Sequence, residues 1–252
     1  MKSRIIPQFV LYLLINSILL LVGSCAKSSS EANNNFITPV AVDTTPIIPV
    51  PDTLNYLALG DSYTIRQSVA VSDRYPVQAV KLLAGNAVHM QDPEIIAVTG
   101  WTTQDLLNAI KNKTAAKPYS VVTLLIGVNN QYQGRTLDEY KTQFTQLLEQ
   151  SIQLAGNRAG HVIVLSVPDY SVTPFAASLD RASVAGQIDL FNAANKQISL
   201  QYQVQYLDVT TASRMAANDR SLIAGDSLHF SGKEYGVWAS GLAPLLKLAI
   251  QK

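Results

Sequence analysis

The stretch LNYLALGDS, Leu54 to Ser62, decides the fold of this chain and indicates its chemistry. Its first six residues, Leu54 to Leu59, form an apolar run typical of a buried strand, and Gly60-Asp61-Ser62 follows where that strand ends. Serine at such a position can be a nucleophile. Its hydroxyl is a weak nucleophile at its ordinary pKa, so it needs a base that a third group holds in place. The rest of the chain must then supply those two groups.

A second short segment, Asp226-Ser227-Leu228-His229, supplies both of them. Its histidine can take the hydroxyl proton and its aspartate can orient the ring, and triads are defined by geometry rather than by order along the chain. Taken alone, Gly-Asp-Ser is often only a turn, and Asp-x-x-His is common by chance. The other two histidines, His89 and His161, precede or open strands and are better explained as structural or surface groups. We therefore predict a triad of Ser62, His229 and Asp226.

Two further strand ends carry groups that suit acyl transfer. Residues 95–98 read as a second strand followed by Gly100, and residues 121–126 as a third strand followed by Gly127-Val128-Asn129-Asn130. In open α/β sheets, ligands bind at the carboxyl ends of the strands. The transition state of acyl transfer carries an oxyanion, which hydrogen-bond donors must stabilise. The candidate donors are the Ser62 N–H, the Gly100 N–H and the Asn129 side-chain amide.

Together these four stretches resemble the SGNH, or GDSL, hydrolase family of esterases and lipases. The family's four blocks are each named by one residue, and the matching positions are Ser62, Gly100, Asn129 and His229. The resemblance runs from about Leu54 to the C-terminus. It implies a flavodoxin-like three-layer α/β/α sandwich with a five-stranded parallel sheet, a Ser-His-Asp triad and a three-donor oxyanion hole. The implied activity is hydrolysis of carboxylic esters.

The chain departs from the family pattern at two positions. Asn130 stands where the family often has Asp, and Tyr63-Thr64 replaces the leucine-rich continuation after the serine. Neither departure removes a catalytic group, but both leave the subfamily and the substrate open. The GxSxG motif of α/β-hydrolases is missing.

Several residues beside the predicted site are candidates for substrate contact. Gln131, Tyr132 and Arg135 follow the oxyanion segment and form either a solvated loop or a surface that bonds a sugar or head group. Trp101, next to Gly100, either stacks on a sugar or covers the sheet edge, and the second is favoured. Tyr63 is placed to line the same mouth.

Other classes of site find little support. No His or Cys pair has metal-ligand spacing and no glycine-rich phosphate loop occurs, so we expect no metal or cofactor. The formal net charge is +1 and no Lys/Arg-rich run is present, which gives nucleic-acid binding little support. A non-catalytic glycan-binding protein remains the rival from another class.

Strands and helices alternate along the chain, which predicts a parallel sheet covered on both faces. We expect the strand order 2-1-3-4-5, which brings the ends of the first three strands together. We expect Pro244 to kink or split the last helix. The predicted strands are 54–59, 95–98, 121–126, 161–165 and 204–207, and the predicted helices are 72–83, 103–111, 137–154, 183–201 and 231–250.

The N-terminus has the layout of a secretory signal, which we assign to residues 1–24. Lys2 and Arg4 precede the mostly apolar residues 5–22, and small residues then lead to Cys25, the single cysteine. This ending resembles a bacterial lipobox, in which the cysteine becomes the lipidated first residue. The alternative is a transmembrane helix, because about twenty apolar residues nearly span a bilayer. We favour a lipoprotein anchored to a membrane through Cys25.

Residues 25–52 have the composition of a tether, and residues 53–252 form the predicted hydrolase domain. The tether is rich in Ser, Asn, Thr and Pro, so it cannot bury enough apolar surface to fold. Cleavage after residue 24 would remove Lys2 and Arg4, leaving 17 basic and 18 acidic side chains and a formal charge of −1. We expect an exported enzyme, on the periplasmic side of a membrane or at the cell surface.

Overall fold

A five-stranded parallel sheet forms the centre of the fold. It is seen in a computed structural model that describes residues 54–65, 68–86 and 88–251. The order β2-β1-β3-β4-β5 confirms the predicted order, and each strand runs parallel to its neighbours. The predicted signal, Cys25 and tether lie outside the described residues. The strands are β1 (Tyr56–Gly60), β2 (Glu94–Ala97), β3 (Val121–Leu125), β4 (Val162–Leu165) and β5 (Gln205–Leu207).

Helices cover both faces of the sheet and give the expected three-layer α/β/α sandwich. Helices α2 and α8 pack together on one face, and α3, α5 and α6 pack on the other. Within the described ranges, no helix is both long enough and apolar enough to cross a bilayer. The helices are α1 (Ser62–Ile65), α2 (Tyr75–Ala84), α3 (Thr103–Ile110), α4 (Val128–Tyr132), α5 (Leu137–Leu154), α6 (Arg181–Gln201), α7 (Thr210–Ser213) and α8 (Gly232–Ile250).

The apolar run that opens the domain becomes β1 because it can be buried from two sides. Tyr56 and Ala58 face the core beneath α2 and α8, whereas Leu57 and Leu59 face the core beneath α3 and α5. A strand buried on both faces reads as a continuous apolar segment rather than an alternating one. Full burial of each leucine contributes about 1.5–3 kcal/mol, so β1 is fixed at the centre of the sheet.

Two helix predictions differ from the structure. The helix predicted from residue 72 begins at Tyr75, after a separate 3-10 turn over Val71–Asp73. An earlier start would place the ring of Pro76 against the carbonyl four residues back, and proline is tolerated only in the first turn. Pro244 was predicted to kink or split the last helix; it does not split it, because α8 runs unbroken from Gly232 to Ile250, and the kink stays a prediction. Proline has no backbone N–H, so the Ser240 carbonyl loses the hydrogen bond that residue 244 would otherwise donate in the helix. Pro244 and Ser240 are both exposed, so water can donate to this carbonyl instead.

Candidate active site

Ser62 is carried on the tight turn between β1 and α1. It is the first residue of α1 and is buried against the sheet edge. The turn depends on Gly60, because a Cβ there would lie 2.2 Å from Thr64 Oγ1 and 2.5 Å from the Leu125 carbonyl oxygen. No side chain fits that space. The sequence Gly-Asp-Ser therefore places the serine where the first strand ends, as predicted.

Asp61 has a structural role in this turn. Its side chain is fully buried, and its Oδ1 accepts a hydrogen bond from the Tyr63 backbone N–H at 3.0 Å. Its Oδ2 is buried without a hydrogen-bond partner among the described residues. Burial outweighs the backbone hydrogen bonds and raises the pKa of Asp61 to about 7. Asp61 thus supports the turn that carries Ser62, although its buried side chain bears an unfavourable charge above that pH.

His229 and Asp226 form a close pair in the loop before α8. The His229 ring Nδ1 lies 2.6 Å from Asp226 Oδ2, and Asp226 Oδ1 accepts the backbone N–H groups of Leu228 at 3.0 Å and His229 at 2.9 Å. A carboxylate can only accept, so Nδ1 is the donor and Nε2 is the nitrogen left for a proton. Partial burial opposes ionisation of Asp226, but hydrogen bonds from Ser68, Leu228 and His229 outweigh it and lower its pKa to about 2.

One cavity of about 280 Å³ joins the predicted residues. It opens at the carboxyl ends of β1, β2 and β3, and it contains the four residues that name the family blocks. Asp226 lies behind His229 and does not line it. The lining residues are Ser62, Tyr63, Thr99, Gly100, Val128, Asn129, Tyr132, Tyr170, Phe175, Leu228 and His229.

The three residues predicted to supply the oxyanion donors, Ser62, Gly100 and Asn129, all line this cavity. Gly100 has φ +84°, a left-handed backbone that side chains rarely adopt, although space for a Cβ is open there. Asn129 Nδ2 donates to the Trp101 carbonyl at 3.0 Å. An amide nitrogen has two hydrogens, so the second N–H remains for the cavity. Ser62 is at the start of α1, where backbone N–H groups have no partner within the helix.

The neighbouring Asn130 has a different, structural role. It is fully buried; its Oδ1 accepts the Thr103 N–H at 2.9 Å, and its Nδ2 donates to Thr103 Oγ1 at 2.7 Å. These bonds tie the segment after β3 to the start of α3. The loops carrying Gly100 and Asn129 are thereby held side by side.

The structure separates the five residues considered for substrate contact. Tyr63 and Tyr132 line the cavity. Trp101 does not line it and packs against the core beneath α3 and α5, which was the favoured alternative. Gln131 is buried and braces the cavity wall, since its Oε1 accepts the hydroxyl of Tyr170 at 3.0 Å. Arg135 is exposed and does not line the cavity either.

Sequence reasoning missed an aromatic wall formed by Tyr132, Tyr170 and Phe175. Each pair of these rings has centroids 6.0–6.2 Å apart. Tyr132 is 57% exposed and Phe175 is 40% exposed, so the wall presents apolar surface at the mouth of the cavity. The signal that could have found Tyr170 and Phe175 is their place in the segment that follows β4, because the carboxyl end of this strand lies at the same sheet edge.

The other two histidines lie away from this cavity. His161 is buried, and its Nδ1 lies 2.7 Å from the Ser120 carbonyl oxygen, whereas His89 is exposed. Both agree with the structural or surface roles predicted for them. His229 is therefore the histidine that shares a cavity with Ser62.

The fold and the cavity together define a hydrolase of the SGNH class. The chain belongs to the GDSL-like Lipase/Acylhydrolase family, whose model matches residues 58–237. The family resemblance and the predicted fold are thus confirmed. Ester hydrolysis is the chemistry of this family.

Several solved structures have a similar fold. The structure of TesA has a TM-score of 0.62 and 14% identity, and the match covers 77% of this chain and 99% of that one. An acetyl xylan esterase from Geobacillus stearothermophilus has a TM-score of 0.58 and 18% identity, over 77% and 94% of the two chains. The psychrotrophic esterase EstA from Pseudoalteromonas sp. has a TM-score of 0.60 and 14% identity, over 79% and 99%. No curated protein sequence matches the chain significantly. At these identities the likeness shows the shared fold alone.

Proposed function

We propose that this chain is an exported, lipid-anchored serine esterase that hydrolyses carboxylic esters with short acyl groups, such as O-acetyl groups on carbohydrates or small molecules. One observation carries the catalytic part of the proposal. His229, bonded to Asp226 at 2.6 Å, lines the same cavity as Ser62. A serine, a base and a carboxylate that orients the base are the three roles that this chemistry requires.

In the proposed reaction, Ser62 Oγ attacks the ester carbonyl while His229 Nε2 takes the hydroxyl proton. The carbonyl oxygen becomes an oxyanion, which accepts hydrogen bonds from the Ser62 N–H, the Gly100 N–H and the Asn129 amide. When the C–O bond to the alcohol breaks, His229 returns the proton to the departing oxygen. Water then repeats the sequence on the acyl-enzyme, releasing the carboxylic acid and restoring Ser62.

Asp226 supports this cycle through its charge and its position. Because its pKa is lowered to about 2, it stays ionised at neutral pH. An ionised carboxylate at Nδ1 stabilises the imidazolium that forms when His229 takes a proton. The two backbone N–H bonds to Oδ1 fix the carboxylate plane, so the ring is held in one orientation.

The cavity supports a small, uncharged acyl group. About 280 Å³ is modest for a ligand site, and no Asp, Glu, Lys or Arg side chain lines it among the described residues. Val128, Leu228 and the aromatic wall make most of the lining apolar, whereas hydrogen-bond donors are concentrated beside Ser62. This distribution suits an acyl chain lodged in apolar surroundings with its carbonyl at the donors.

The alternative of the same class is a lysophospholipase or thioesterase with a longer acyl chain. The exposed rings of Tyr132 and Phe175 favour it, because they extend the apolar surface beyond the cavity mouth. Nitrophenyl esters of increasing chain length, tested beside acetylated xylan and lysophospholipid, separate the two. Turnover of acetyl esters above long-chain esters supports the short-acyl proposal, whereas inert acetyl esters with rapid long-chain turnover would replace it.

A non-catalytic glycan-binding role is the rival from another class. Labelling with a fluorophosphonate distinguishes it from an esterase, because the reagent needs an activated serine. We expect wild-type protein to be labelled and Ser62→Ala to remain unlabelled. Folded wild-type protein that stays unlabelled would support the binding role instead.

The anchor is supported by the sequence of residues 1–25 alone. Cys25→Ser should abolish lipid attachment and leave esterase activity unchanged, because the tether separates this residue from the domain. Fractionation of cells and mass spectrometry of the mature N-terminus test this. Wild-type protein found wholly in the soluble fraction, with unmodified Cys25, would refute the anchor.

A further inference from the structure

Ser68 contacts the carboxylate that holds the histidine, from a distant part of the chain. Its Oγ donates to Asp226 Oδ2 at 2.5 Å, and the same oxygen lies 2.6 Å from His229 Nδ1. Ser68 and Asp226 are 158 residues apart in sequence. The segment after α1, which follows the nucleophile, is thereby joined to the loop that supplies the base.

The backbone at Ser68 indicates that this contact is specific. Its φ is 65°, in the left-handed region that non-glycine residues rarely occupy and that Gly or Asn adopts more readily. Ser227, beside Asp226, also has φ 65°. The Ser68–Asp226 hydrogen bond thus has an unfavourable backbone conformation on each side, at Ser68 and at Ser227. Such strain persists only where surrounding contacts impose it.

Four donors together surround the Asp226 carboxylate. The backbone N–H groups of Leu228 and His229 bond Oδ1, while the Ser68 hydroxyl and the His229 ring bond Oδ2. Hydrogen bonds to an ionised group are stronger than neutral ones and draw charge from the accepting oxygen. The Ser68 hydroxyl therefore acts on the oxygen that faces the base.

We infer that Ser68 is a positioning residue for the esterase reaction, which orients Asp226 and moderates the negative charge that Asp226 presents to His229. The inference rests on the proposed function, in which His229 is the base. Ser68 itself does not line the cavity and need not touch substrate. It acts on the reaction through Asp226.

Removing the Ser68 hydroxyl should shift the pH dependence of kcat/KM in one direction. Without the hydroxyl, Oδ2 carries more negative charge towards the ring, and a nearby negative charge favours the protonated imidazole. A protonated base cannot accept the Ser62 proton. The pH profile of kcat/KM reports ionisation of the free enzyme, so its acidic limb should move to higher pH.

The other titratable groups around the pair do not obscure this test. The Tyr63 ring centroid lies 5.4 Å from that of His229, and Tyr235 interacts with the Asp226 charge. Burial raises the pKa of both phenols well above 10, so both stay neutral between pH 5 and 9. Asp61, whose pKa is about 7, also interacts with both phenols. Its titration is common to the wild type and the variants and cancels in the comparison.

The experiment compares Ser68→Ala and Ser68→Gly with wild type and with Ser72→Ala, using nitrophenyl acetate. Ser68→Gly removes the hydroxyl while favouring a positive φ, so it provides a folded variant even where alanine is strained. Ser72 is an exposed serine of the same segment whose Oγ bonds Asp73 Oδ1 at 3.1 Å, so it is the matched control. kcat/KM is measured from pH 5 to 9, and melting temperatures are recorded for each protein.

We expect both Ser68 variants to move the acidic limb upward by about 0.5–1 pH unit, while the plateau at high pH changes by less than about threefold. At a pH below the limb, kcat/KM would then fall about three- to tenfold, and Ser72→Ala would match wild type. An unmoved or downward-shifted limb overturns the inference, as does a uniform loss of rate that follows the melting temperature. Wild-type protein with no esterase activity overturns the proposed function itself, and the inference falls with it.

Discussion

Replacing Asn129 by alanine is the sharpest test of the proposed oxyanion hole. The Asn129 amide donates one N–H to the Trp101 carbonyl at 3.0 Å and has a second N–H for the cavity. Alanine removes this donor, while the N–H groups of Ser62 and Gly100 remain. Loss of one such donor typically lowers kcat by about 10²–10³, or roughly 3–4 kcal/mol of transition-state stabilisation. We expect a loss of that size rather than complete inactivation.

The same substitution should have little effect on KM and a modest effect on stability. The bond to the oxyanion forms mainly in the transition state, so binding of the ground-state ester is nearly unchanged. The bond to the Trp101 carbonyl is partly buried, and its loss costs about 0.5–1.5 kcal/mol of unfolding free energy. Rates with nitrophenyl acetate give kcat and KM, and thermal unfolding followed by circular dichroism gives the stability.

Asn130→Ala is the matched control, because the adjacent asparagine points into the protein. Its loss would leave the buried Thr103 N–H without its bond at 2.9 Å, which costs about 1–3 kcal/mol of stability. The folded variant should keep kcat within about tenfold of wild type. We therefore expect opposite patterns for the two variants. Asn129→Ala should lower mainly kcat, whereas Asn130→Ala should lower mainly the free energy of unfolding. Near wild-type kcat for folded Asn129→Ala would show that this amide does not face the oxyanion.

Ser62→Ala and His229→Ala should each lower kcat by a factor of about 10⁶, and the double variant should be scarcely slower, because a triad acts as a unit. A double variant whose loss in kcat equals the product of the two single losses would contradict this. Gly60→Ala should prevent folding or abolish activity, since the added Cβ would lie 2.2 Å from Thr64 Oγ1; a soluble, active variant would contradict the tight turn. Asp61→Asn should change the pH dependence of stability. The pKa of Asp61 is about 7 in the folded state and 3.8 ordinarily, so the folded state binds the proton more tightly. The free energy of unfolding of the wild type therefore decreases as the pH rises from about 4 to 7. The variant should lose this fall, of roughly 2–4 kcal/mol, and equal unfolding free energies of the wild type at pH 5 and 8, measured by urea denaturation, would contradict the prediction.

The order of the sheet and the positions of Ser62, Gly100 and Asn129 at one cavity could be predicted because they depend on local patterns. The apolar runs before Gly60 and Gly127 are buried on both faces and can only be central strands. Parallel strands end at one edge of the sheet, so residues that follow them meet there whatever their separation in sequence. Strand ends shifted by one or two residues, as at β1 and β4, because terminal residues contribute little to the buried pattern.

The orientation of the aromatic wall and the contact made by Ser68 could not be predicted, because both depend on loop conformation. Phe175 lies in a 3-10 turn, and its backbone N–H donates to the Ser227 carbonyl at 3.0 Å, which directs its ring to the cavity. Ser68 reaches Asp226 only through a left-handed backbone that a serine in sequence does not reveal. Arg135 shows the converse. It lies close to Asn129 in sequence, but the turn after α4 carries it to the exposed surface.

The two halves of the site come from opposite ends of the domain, and an aromatic cluster holds them together. Tyr63 follows the nucleophile, and its ring contacts His229 at 5.4 Å and Phe230 at 5.9 Å between centroids. Phe230 in turn packs on Trp238 of α8 at 5.7 Å, and all three aromatic residues are buried. Contacts of this kind add about 0.5–1.5 kcal/mol per pair to the burial of the rings, and they resist separation of the two loops. The Asp226–His229 bond fixes the proposed base within its own loop, and the aromatic packing acts together with the Ser68–Asp226 bond to hold that loop against the segment that carries Ser62. The placement of His229 relative to Ser62, and with it the proposed chemistry, therefore depends on core residues that have no proposed part in the reaction.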